Sequence, residues 1–200
     1  GRNHSVELVP AIRRLTGHLG VEMAGLEAVF VARGPGGFSA LRVGMSTAKA
    51  LAAALGVPLV AVGTLDVEAH PYLRLGAPVC ALIEAGKRRL YVGKYDGASG
   101  LASPGYEVVS PEDLVASAET STLFCGEGVS SVADSLRERL GEAARIVDAP
   151  PPTRAPNVLA LLAHMRWRDG DTDDPATLQP LYLRSAQVDT ARRAWSPDRT

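Results

Sequence analysis

The sequence predicts an α/β fold. Alternating short β-branched runs and helical stripes fill the first third of the chain. A Gly-Pro-Gly-Gly turn at 34–37 joins an apolar run, Val29–Ala32, to a helix. An apolar content of 46% over 200 residues supplies one substantial core or two modest ones.

Leu8, Ile12, Leu15 and Leu19 form a helical stripe with Asn3 or Ser5 available as N-cap; Pro10 is tolerable near the first turn or as a kink. Val29–Ala32 reads as a strand and Ser39–Leu55 as a helix, with Leu41, Met45, Ala48, Ala52 and Leu55 on one face. After the Gly56-Val57-Pro58 break, Leu59–Val62 is a second strand and Thr64–Leu73 a short helix.

The texture then changes. Val79–Ile83 and Leu90–Tyr95 read as strands around a Gly86-Lys87-Arg88 turn, followed by a Gly/Ser-rich loop and a strand at Tyr106–Val109. Ser110-Pro111-Glu112-Asp113 opens a helix, with serine as cap and proline at the first helical position. Thr122–Cys125 is a strand, Ser131–Leu140 a helix, Pro150–Pro152 a stiff link, and Asn157–Arg168 a further helix before an extended polar tail.

The helix after the turn is unusually rich in small residues: Ser39, Ala40, Gly44, Ala48, Ala50 and the Ala52–Ala54 run. Such a surface lets another backbone come close, within the fold or from a partner. The turn itself fails the common phosphate motifs. Gly34 and Gly36 have the first spacing of G-x-G-x-x-G, but the third position is Ser39, and Lys49 is too far along the helix for a Walker lysine. Turn geometry and close strand–helix packing account for the glycines more simply.

A net charge of −1 gives no global attraction to nucleic acid or anionic membrane. No apolar run of ~18 residues or signal-peptide pattern is present. Cys80 and Cys125 sit in apolar strand-like runs without a Cys-x-x-Cys or histidine cluster and read as buried thiols. Arg42 and Lys49, seven apart, and Lys87-Arg88-Arg89 offer cations to nucleotide or tRNA phosphates, though each also suits a solvated face.

As a whole string, Gly-Pro-Gly-Gly-Phe-Ser-Ala-Leu-Arg-Val-Gly-Met-Ser-Thr-Ala-Lys-Ala-Leu-Ala (34–52) closely resembles the signature of the TsaB (YeaZ) family. Arg2-Asn3-His4-Ser5 with Leu8-Val9-Pro10, the 83–92 run Ile-Glu-Ala-Gly-Lys-Arg-Arg-Leu-Tyr-Val, and Pro180-Leu181-Tyr182-Leu183-Arg184 resemble further family segments in the same order. Arg88 matches the arginine of one of these, whereas Glu84 stands where the family has aspartate and Gly86-Lys87 where its arginine pair begins.

The resemblance implies an actin-like, ribonuclease H-like ASKHA fold with two lobes. Residues 1–75, with the tail 171–200 returning, would form the first, and 76–170 the second. Family members begin with strands ahead of the Arg-Asn-His-Ser segment, so the first lobe is expected to be truncated at its N-terminus. An upstream start lost from the chain explains this, and a natural short form is the competing explanation.

The resemblance further implies a cytoplasmic, noncatalytic scaffold in the formation of N6-threonylcarbamoyladenosine at position 37 of ANN-decoding tRNAs. Its partners would be a TsaD homologue, the ATPase TsaE, a second copy when alone, and tRNA only through the complex. The pairing face would be the helices at 4–19 and 39–55, through Leu8, Ile12 and Leu15 on one and Leu41, Gly44, Met45, Ala48 and Ala52 on the other. The histidine ligands of the sister enzyme TsaD fall on Thr64 and Glu68, so no catalytic residue and no metal are expected, and ATP with magnesium only within the complex. Contact of Gly34, Gly36, Arg42, Lys49 and Arg88 with nucleotide or tRNA is a secondary expectation, as is a nucleotide at Gly126-Glu127-Gly128. A sugar-kinase-like or glycopeptidase-like ATP-dependent enzyme is the alternative.

Overall fold

A computed structural model describes residues 4–97, 102–147 and 152–183. Two sheets organise them: a parallel pair, β1 (Val29–Gly34) and β2 (Leu59–Gly63), and a five-stranded mixed sheet. The second sheet contains β3 (Val79–Gly86), β4 (Arg89–Tyr95), β5 (Ala102–Val109), β6 (Leu123–Cys125) and β7 (Arg145–Ile146), in the order β5-β4-β3-β6-β7. β3, β4 and β5 form an antiparallel meander, while β6 and β7 add in parallel on the other side of β3.

Residue alternation gives each sheet two buried faces. On the first sheet, Leu59 and Ala61, with Val29 and Val31, pack on α2 (Phe38–Leu55) through Met45, Ala48 and Ala52. The opposite residues Val60, Val62 and Phe30 meet α6 (Pro156–Arg168) through Val158, Leu162 and Ala163. On the second sheet, Cys80, Leu82, Leu90, Val92 and Phe124 pack under α4 (Pro111–Ala116) and α5 (Ala133–Leu140). Val79, Ala81, Ile83 and Cys125 face Leu65 and Ala69 of α3 (Thr64–Ala69). α3 touches strands of both sheets and so links them.

The strands and longer helices fall close to their expected spans, apart from β5, which begins at Ala102 inside the expected loop rather than at Tyr106, and from four further differences. Thr64–Leu73 divides into α3 and a 3-10 segment at His70–Leu75, where Pro71 cannot donate to the α-helical ladder. β7 is two residues long, too short for a periodic signal. α6, expected in the second lobe, lies on β1 and β2 because its apolar residues meet Val60 and Val62. Finally, α1 (His4–His18) carries Pro10 in its interior. Asn3, one of the two proposed caps, lies outside the described residues, as do Pro150, Pro151 and residues 184–200, whereas Ser5, the other, falls within α1.

The segment after α6 returns to the first sheet. Leu59 bridges Asp173, and the Leu181 amide donates to the Arg33 carbonyl at 2.8 Å.

Candidate functional site

α2 is apolar around most of its circumference, a pattern that ordinarily means full burial. Only one side is used by the chain itself. Met45, Ala48 and Ala52 are 2%, 6% and 2% exposed, and Leu41 packs over the Gly34 turn. This corrects the expectation that Met45, Ala48 and Ala52 face a partner: β1 and β2 claim them, since a parallel pair needs a helix over its face. The outward side carries Ser39, Val43, Ser46, Ala50, Ala53 and Ala54, all short enough for close helix approach.

α1 lies beside α2 and leaves much of its apolar surface open. Val6, Leu15 and Leu19 are 63%, 61% and 68% exposed, while Leu8 and Ile12 are half-buried. Glu7, Leu8 and Ala11 of α1, with Ala40, Val43 and Gly44 of α2, line a shallow groove of about 370 Å³. A Cβ built at Gly44 meets nothing within 4 Å. Of the predicted docking residues, Leu15 is exposed, Leu8 and Gly44 line the half-buried groove between the helices, and Ile12 is half-buried.

The proposed cations do not share one patch. Arg42 lies over the Phe38 ring at 4.3 Å, and Lys49 lies near Asp174 of the returning segment. Arg88 stands at the β3–β4 tip on the other sheet, 3.6 Å from exposed Glu112. Lys87 and Arg88 occupy left-handed backbone conformations, with φ of 50° and 54°. Gly34 is buried and has φ of 108°; a side chain there would press on Leu41 and the Leu181 carbonyl. Its role in the fold is close packing.

A second polar centre lies where α3 meets the segment before α6. Glu68 is 3% exposed, and its Oε1 accepts a hydrogen bond from Thr153 Oγ1 at 2.7 Å. Arg154 Nε approaches the same oxygen at 3.8 Å, while its Nη2 donates to Glu127. Burial pushes the Glu68 carboxyl up, offset in part by Thr153 and Arg154. Glu127 is held by the Gly126 turn, where φ is 96° and a Cβ would overlap the Leu82 carbonyl. Sequence reasoning marked that turn but missed Arg154, which has no motif around it.

Thr64 and Glu68 lie one turn apart on α3, and the Thr64 hydroxyl is buried without a hydrogen-bond partner among the described residues. Arg154 thus provides a cation between two carboxylates. Among the described residues no three His, Cys, Asp or Glu side chains gather as a metal site.

The family model described as "TsaD: tRNA N6-adenosine threonylcarbamoyltransferase" matches residues 1–152. The chain belongs to this family. Within it, the similarity is to TsaB (YeaZ) proteins. The tRNA threonylcarbamoyladenosine biosynthesis protein TsaB of Bacillus subtilis is 27% identical over 193 residues, covering 94% of this chain and 82% of the relative. YeaZ from Pseudomonas aeruginosa superposes with a TM-score of 0.74 at 28% identity, covering 91% of this chain and 85% of that one. A tRNA N6-adenosine threonylcarbamoyltransferase of Anaeromyxobacter dehalogenans is 48% identical over 65 residues, but these are 32% of this chain and 20% of the enzyme. The TsaB likeness thus runs along nearly the whole chain, whereas this match to the transferase is local, at higher identity over a short stretch. These matches agree with the actin-like α/β architecture read from the sequence. No helix among the described residues is long and apolar enough to cross a membrane.

Proposed function

We propose that this chain serves in forming N6-threonylcarbamoyladenosine on tRNA as a noncatalytic subunit, docking a TsaD-type transferase through α1 and the outward side of α2. One observation carries the reading: α2 uses only part of its apolar circumference inside the fold, while adjacent α1 leaves Val6 and Leu15 open, with exposed Leu19 just past its end. Burying each such leucine or valine is worth ~1.5–3 kcal/mol. A stable interface needs about 800 Å² per partner. Small residues on the outward side of α2 favour an approaching helix.

The noncatalytic part of the reading draws on the polar centre at α3. Thr64 and Glu68 provide no imidazole pair, and Arg154 supplies charge compensation to Glu68 and Glu127 from within the chain. The docked complex, rather than this chain alone, would hold tRNA and use ATP with magnesium, with TsaE as the further partner. A second copy would occupy the same face in the absence of the transferase.

The test is reconstitution. The purified chain alone should form no threonylcarbamoyladenosine on unmodified tRNA, and its addition to the transferase and remaining pathway components should raise product formation. Product formed by the chain without the transferase would contradict the proposal.

A further inference from the structure

At the start of α2, Phe38, Arg42 and Tyr182 form a cluster that the fold does not need for its core. Phe38 is 54% exposed and Tyr182 38%. Their ring centroids are 5.0 Å apart. The Arg42 guanidinium carbon lies 4.3 Å from the Phe38 centroid, and Arg42 Nε donates to the Tyr182 hydroxyl at 3.2 Å. The guanidinium is therefore stacked on one face and fixed at Nε. Its two terminal nitrogens have no hydrogen-bond partner, and Arg42 has no ion-pair partner, among the described residues.

We infer that Arg42, held by Phe38 and Tyr182, is a preformed receptor for a carboxylate of the docked protein partner. This rests on the docking role proposed above and names the chemistry the partner must bring. A planar guanidinium whose terminal nitrogens no described residue bonds matches two carboxylate oxygens as a fork. Fixing it before binding reduces the ordering entropy lost on association. Arginine and tyrosine beside apolar contact are also the residue types that concentrate interface energy.

The location favours a protein over RNA. Phe38 and Arg42 border the small outward surface of α2, continuous with Ser39, Val43 and Ser46. Lys49 lies seven residues farther along the helix, outside the Phe38–Arg42–Tyr182 cluster. The cluster consequently offers one fork, whereas a nucleic-acid backbone is tracked by several cations. Tyr182 also gives the returning segment a part in docking, since Leu181 is tied to Arg33 next to it.

Calorimetric titration with the cognate TsaD-type subunit tests the inference, using the full chain and its Arg42→Ala, Arg42→Lys and Tyr182→Phe variants. Arg42→Ala should weaken binding roughly tenfold or more, and Arg42→Lys should recover little because an ammonium cannot fork. Tyr182→Phe, which removes only the phenolic acceptor, should fall between wild type and Arg42→Ala. Circular dichroism should be unchanged for all three. Wild-type affinity in Arg42→Ala overturns the inference while leaving the docking role intact, as does full recovery by lysine. Loss of tRNA retention by the assembled complex with unchanged subunit affinity also overturns it, in favour of a nucleic-acid contact. Failure of the wild-type chain to bind the transferase overturns both.

Discussion

Arg166 and Asp173 meet at 3.3 Å and together close the open edge of β2 at Ala61, beside the Leu59–Asp173 bridge. Asp173 Oδ2 accepts the Ala61 amide at 2.8 Å, and Arg166 Nη1 donates to the Ala61 carbonyl at 2.6 Å. The pair takes the place of a neighbouring strand, satisfying both backbone groups of Ala61. Exposed strand edges otherwise invite pairing with other chains.

Asp173→Ala should therefore cost about 1–3 kcal/mol, because it leaves the buried Ala61 amide without its acceptor, while Arg166 keeps its two hydrogen bonds to Asp171. Urea denaturation followed by circular dichroism measures it. A loss below about 0.5 kcal/mol would show that the edge does not depend on this pair.

Asp66 governs a second prediction. Its Oδ1 accepts the Tyr95 hydroxyl at 2.8 Å, yet burial holds its carboxyl above the ordinary 3.8, with Tyr106 and Tyr95 offsetting only part of the rise. The native state then keeps a proton that the unfolded chain has released. Stability from this group is full below 3.8 and is lost as pH rises through the raised native value. Denaturation midpoints across this range should fall with rising pH, and Asp66→Asn should remove that component of the slope. An identical slope in the variant would contradict the assignment.

The cysteines should be inert in the native protein. Burial pushes the Cys80 thiol up to about 12, with Lys94 a smaller opposing influence, and burial likewise raises Cys125. Iodoacetamide at pH 8 should label neither in the folded chain and both in denaturant, as read by intact mass. Stoichiometric labelling of folded protein would contradict this.

Much of this fold was legible because residue periodicity matches element type: Val29–Ala32 and Leu59–Val62 read as strands, and the α2 stripe read as helical. The direction of that stripe was harder to read. α2 is apolar on several sides, so spacing alone cannot say whether Met45 and Ala48 or Val43 and Ala50 face outward; packing on Leu59 and Ala61 decides it. Arg154, Arg166 and Asp173 were not legible as partners because their contacts cross 27, 105 and 112 residues, respectively, without a local motif.

The central claim is that the outer side of α1 and α2 docks the transferase subunit. It is tested most directly by measuring the affinity of that subunit for wild type, Leu15→Asp and Gly44→Arg, with thermal melts as the control. Leu15 is exposed, and nothing lies within 4 Å of a Cβ at Gly44, so both variants should melt close to wild type. The account predicts measurable wild-type binding and losses of at least about a hundredfold in each variant, the scale of buried charge at an interface centre. Binding equal to wild type in both folded variants would contradict it.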